Sequence, residues 1–125
     1  MKIKFAGLLL FLGIITATVV ALLPLRAQNA EPNNAHRIEI TAKRFEFAPS
    51  EITVKKGEPV VLIIKSADVA HGLRFRELNL NVTVSKGGTG QLSFTPDKTG
   101  DFVGHCSVFC GSGHGSMTLT MHVVN

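Results

Sequence analysis

Four residues in the stretch Gly104 to Met117 have side chains suited to holding a soft metal ion: Cys106, Cys110, His114 and Met117, at spacings of 4, 4 and 3. On a helix that spacing would place all four on one face. Gly111, Gly113 and Gly115 argue against a helix, because each costs about 1 kcal/mol relative to alanine. The pattern instead predicts a loop between two strands, with glycine letting the backbone approach what it encloses. Two thiolates, an imidazole and a thioether favour copper over hard cations. A ligand from elsewhere is needed to complete such a site. His71 is the candidate, in Asp68-Val69-Ala70-His71-Gly72, at a loop following an apolar strand.

Plainer chemistries compete for the same residues. In an exported chain two cysteines can form a disulfide, and a five-residue Cys-to-Cys loop allows one. That reading leaves His114, Met117 and the glycines unused. A structural zinc site of two Cys and two His fits the ligand types but has no use for a thioether. The other histidines lack such support. His105 sits where the strand before Cys106 should end, and His122 alternates with Met121 and Val123 as an outward strand residue. His36 falls in a polar tether and reads as solvated, while Met121 belongs to the core.

The elements that position these residues have a period of 2 rather than 3.6. Ile38 and Ile40, Ile52 and Val54, Leu92 and Phe94, and Leu119, Met121 and Val123 each alternate with other residues, as do Leu78, Leu80, Val82 and Val84. Val60 to Ile64 is continuously apolar, as in a strand buried on both faces. Turn residues punctuate the series at Lys56-Gly57-Glu58, Lys86-Gly87-Gly88, Pro96-Asp97 and Thr99-Gly100. Seven or eight short strands with no helix predict an all-β sandwich around one core, over residues 37–125.

Ahead of that domain, residues 26–36 are polar, contain Pro32 and read as a linker. Residues 5–25 form a 21-residue apolar run preceded by Lys2 and Lys4. That is long enough for a helix to cross a bilayer, so residues 1–25 are expected to be a membrane anchor, or else a cleaved signal peptide. Lys2 and Lys4 would stay inside and the rest would be exported to the periplasmic or extracytoplasmic face. The chain of 125 residues carries 13 Lys and Arg against 9 Asp and Glu, a net of +4. Lys2, Lys4 and Arg26 account for three of those charges. Without them the net is +1, which removes the electrostatic footprint of a nucleic-acid binder.

Cys106-x-x-x-Cys110-x-x-x-His114-x-x-Met117, preceded by His71, resembles the copper A (CuA) motif of the cupredoxin domain in subunit II of cytochrome c oxidases. The similarity extends over Phe47 to Ile52, Asp68 to Gly72, Asn79 to Val82 and Gly100 to Phe102, and is strongest with the single-anchor, B-type branch. The resemblance implies a Greek-key, cupredoxin-like sandwich and a binuclear site of two copper ions. Cys106 and Cys110 would bridge the coppers, His71 and His114 would each bind one, and Met117 and the backbone carbonyl of Val108 would be weak ligands. The usual residue at position 108 is a glutamate that also helps bind magnesium at the contact with oxidase subunit I. Val108 keeps the carbonyl but has no carboxylate, and the chain has no Trp or Tyr for the aromatic patch through which many such domains accept electrons. The implied partners are a c-type cytochrome or similar donor and, beyond it, a terminal oxidase.

No general base, activated nucleophile or substrate pocket can be named, so the domain is expected to carry electrons rather than catalyse a reaction alone. The imidazoles should lie near the surface, uncovered by Gly72, Gly113 and Gly115. Two other functions are compatible with the ligands: a mononuclear blue-copper carrier using His71, Cys110, His114 and Met117, and a copper chaperone for oxidase assembly.

Overall fold

The structure, a computed structural model, describes residues 33–125. The expected N-terminal hydrophobic helix, and the linker up to residue 32, lie outside the described residues. Among the described residues no helix is long and apolar enough to cross a membrane. The described residues form nine strands: β1 (His36–Lys43), β2 (Glu46–Ala48), β3 (Glu51–Lys55), β4 (Val60–Ser66), β5 (His71–Phe75), β6 (Leu80–Val84), β7 (Thr89–Phe94), β8 (Gly100–His105) and β9 (Thr118–Val124).

They make two sheets, ordered β2-β1-β4-β7 and β3-β9-β8-β5-β6. Neighbours are antiparallel except for β1 with β4 and β3 with β9. The alternating segments bury one face each: Ile52 and Val54 in β3, Val82 and Val84 in β6, Leu119, Met121 and Val123 in β9. In β4 the apolar run lies between β1 and β7, with Val60, Val61, Leu62 and Ile64 all buried. Apart from Val61, these residues meet Ile40, Phe47, Leu73, Phe75 and Phe102 in one core, each large aliphatic side chain contributing about 1.5–3 kcal/mol on burial.

Three local differences from the sequence expectation have physical causes. The strand predicted from Leu78 begins only at Leu80, because Arg76–Leu78 is a 3-10 turn closed by Asn79 in the left-handed region at φ 53°. Asparagine tolerates that conformation, and the alternation of Leu78 with Leu80 continues straight through the turn. Secondly, β2 was not expected: three residues are too few to show a period. Finally, His71 is not in a loop. It is the first residue of β5 and is fully buried.

Candidate metal centre

The Cys106-to-Met117 segment connects β8 to β9, and its neck is a continuation of their ladder. His105 pairs with Thr118, and the next bond runs from the Cys106 N–H to the Met117 carbonyl at 3.0 Å. Cys106 and Met117 are thereby fixed at the end of the sandwich and buried. β5 lies on the other side of β8, with Arg74 opposite His105 and the Ser107 N–H donating to the Gly72 carbonyl at 3.3 Å. This register puts His71 beside the loop.

His71, Cys106, Cys110, His114, Met117 and the Val108 carbonyl come together at this end. The two thiols stand 3.7 Å apart and are free. Cys106 Sγ is 4.0 Å from His71 Nδ1 and 3.2 Å from the Val108 carbonyl oxygen. Cys110 Sγ is 3.7 Å from His114 Nδ1 and 3.8 Å from Met117 Sδ. The ligating atoms of His71, Cys106 and Cys110 lie within 4.8 Å of one another. Metal–sulfur and metal–nitrogen bonds of about 2.3 and 2.0 Å together span about 4.3 Å. Each sulfur and its facing imidazole are therefore close enough to bind the same ion. His105 is exposed, and His122 is engaged elsewhere with Asp101 at 2.6 Å.

Side chains around the site fix it in ways the sequence pattern did not reveal. Asp68 Oδ1 lies 2.6 Å from His71 Nε2, which leaves Nδ1 to face the sulfurs. The Arg44 backbone N–H, bonded to Asp68 at 2.8 Å, holds that carboxyl down at about 2, with help from His71 and the Val69 N–H. The Asp68 acceptor is thus ionised and oriented, as the outer partner of a ligating histidine needs to be. Arg44 also donates from Nε to the Cys110 carbonyl at 2.9 Å. Burial, reinforced by the neighbouring Cys106, pushes the Cys110 thiol up to about 11. A metal binding there must displace protons from the pair.

The glycines do not uncover the imidazoles as expected. A Cβ on Gly72 would fall 2.0 Å from Ser107 Oγ, and one on Gly113 would fall 2.4 Å from the Phe45 ring. Gly111, at φ +133°, would also meet Phe45. The loop lies flat on Phe45, and glycine is required by contact rather than by openness. Gly115 alone of the three faces open space. Accordingly His71 is sealed and only His114 reaches the surface, where its ring is 5.7 Å from that of Phe109.

The family model for a cupredoxin-like domain matches residues 14–119 of this chain. The chain belongs to the cupredoxin-like family. Within that family it resembles the CuA domain of cytochrome c oxidase subunit 2. It is 32% identical over 90 residues to cytochrome c oxidase subunit 2 of Thermus thermophilus, covering 72% of this chain and 67% of that protein. It is 33% identical over 90 residues to nitrous-oxide reductase of Cupriavidus necator, covering 69% of this chain but 14% of the reductase. The periplasmic domain of subunit II of cytochrome oxidase of Bradyrhizobium japonicum has the same fold, with a TM-score of 0.68 at 20% identity over 77% of this chain and 88% of that one. A cupredoxin-like domain with this donor set is a copper-binding electron-transfer domain.

Proposed function

We propose that the chain carries a binuclear CuA centre and passes electrons from a c-type cytochrome or similar donor to a terminal oxidase, as the relatives' names suggest. Residues 5–25 tether it to the membrane with the domain on the periplasmic side. Cys106 and Cys110 would hold both ions, His71 and His114 would each hold one, and Met117 and the Val108 carbonyl would be weak ligands. When bound, the copper pair supplies one-electron chemistry without proton or group transfer. The chain's own part is to hold the ligands. Burial of His71, both cysteines and Met117 excludes water, and the attachment of His71, Cys106 and Met117 to strand ends keeps them in place in both redox states.

The observation that carries this reading is the symmetry of the sulfur–nitrogen contacts. Each thiol faces a different imidazole, at 4.0 and 3.7 Å, while the thiols face one another at 3.7 Å. In a mononuclear site Cys106 would be a spectator and would have no reason to confront His71. Cys106→Ser separates the two cases. Loss of the binuclear absorption spectrum is expected, whereas retained colour and potential would indicate a single copper on His71, Cys110, His114 and Met117. Val108 removes one carboxylate from the surface that meets an oxidase subunit I, so that contact must rely on other residues.

A further inference from the structure

We propose that the flank of the metal loop formed by Arg74, Arg76 and His105 is the docking face for a redox protein whose own electron-exchange surface is acidic, with Phe109 at its apolar centre. The proposal rests on the electron-transfer reading above and specifies the partner. Two adjoining clefts, of about 350 and 170 Å³, open beside Cys106. Their walls include Arg74, Arg76, His105, Ser107, His114 and Gly115, and among the described residues no carboxylate lines either one. Among the described residues Lys43 and Lys65 have glutamate partners, but neither Arg74 nor Arg76 is in an ion pair. Glu77, next along the chain, lines a separate cavity with Leu78, Asn79 and Asp97.

The positive charge is local. Beyond the N-terminal segment the chain carries a net of only +1, so two unpaired guanidiniums on one rim set the sign of the field there. Guanidinium stays charged at all working pH values and suits bidentate contact with carboxylates. Arg74 is fixed on β5 opposite His105, and Arg76 begins the following 3-10 turn. His114 joins this rim to the apolar centre, since it lines both clefts and its ring lies 5.7 Å from Phe109. Phe109 is 78% exposed, the most exposed large apolar residue described. An aromatic anchor beside a charged rim is the anatomy of a transient interface, in which the rim speeds encounter and selects the partner. On docking, one electron leaves the reduced iron of the donor and reduces the centre, with no bond made and no proton moved.

The test uses the copper-loaded full chain in detergent, with two reduced c-type cytochromes, one acidic and one basic around the exposed haem edge. Complex affinity and the second-order electron-transfer rate are measured over a salt series. The acidic cytochrome should bind more tightly and react faster, and its rate should fall with salt. Arg74→Gln with Arg76→Gln should lower that rate about tenfold and flatten the salt dependence, leaving copper content and spectrum unchanged. Arg76→Gln alone, on the exposed turn, should give a smaller loss in the same direction and serves if the double variant fails to fold. A preference for the basic cytochrome, or an acidic-donor rate indifferent to both variants, overturns the proposal. So does a rate that inorganic phosphate suppresses far more than chloride at equal ionic strength, since the arginines would then form a small-anion site. A copper count of one would instead overturn the binuclear reading, and the binding comparison would still decide the docking face.

Discussion

Asp68 is where the site's precision is decided residue by residue. A ring nitrogen that faces sulfur is useful only if the other nitrogen is held, and Asp68 holds Nε2 of His71 at 2.6 Å from a carboxylate pinned by two backbone N–H groups. Removing such an outer partner typically costs 10- to 100-fold in metal affinity. Asp68→Ala should therefore weaken copper binding by about that factor in a chelator competition, while Asp68→Asn, which keeps an acceptor oxygen, should lose less. Equal affinities in all three proteins would show that His71 is held by its strand alone. The sequence displayed this aspartate three places before His71 without marking it, because a carboxylate near a histidine in a loop has many uses and none is periodic.

Between elements, the same contacts explain the glycines and the pH response. The loop rests on Phe45, so Gly113→Val has to push an aromatic ring aside, and overpacking of this kind costs about 1–3 kcal/mol. Thermal unfolding of the metal-free protein should register it, and an unchanged midpoint would mean the loop is free to lift. On β9, His122 lies between the two neighbouring strands, bonded through Nδ1 to Asp101 of β8 at 2.6 Å and 3.7 Å from Glu51 of β3 through Nε2. The bond to Asp101 raises its pKa above the ordinary 6.5. Its stabilising contribution is complete below 6.5 and is lost as pH rises through the higher folded value. Wild type should accordingly lose stability over that interval relative to His122→Gln, and parallel pH profiles would rule the bridge out. Strands were legible because a half-buried sheet imposes a period of 2 on Ile52 and Val54 or on Leu119, Met121 and Val123. The turn at Arg76–Leu78 and the floor under Gly113 were not, since one hides inside an unbroken alternation and the other joins positions far apart in the chain.

For the whole molecule, the clustering of Cys106, Cys110, His114 and Met117 around one loop was readable from types and spacing, but the burial of His71 was not. His71 looked like a loop histidine and is sealed inside at the head of β5, leaving His114 with Phe109 as the face toward solvent. A sandwich that fixes His71, Cys106 and Met117 at the ends of β5, β8 and β9 would suit the proposed centre, which gains and loses an electron without moving. The number of ions distinguishes this account from every alternative based on the same residues. Copper per chain in the fully loaded wild type, measured by elemental analysis together with paramagnetic resonance, tests it most directly. The account predicts two coppers and a hyperfine pattern from one electron shared by two copper nuclei. One copper with the pattern of a single nucleus would contradict it.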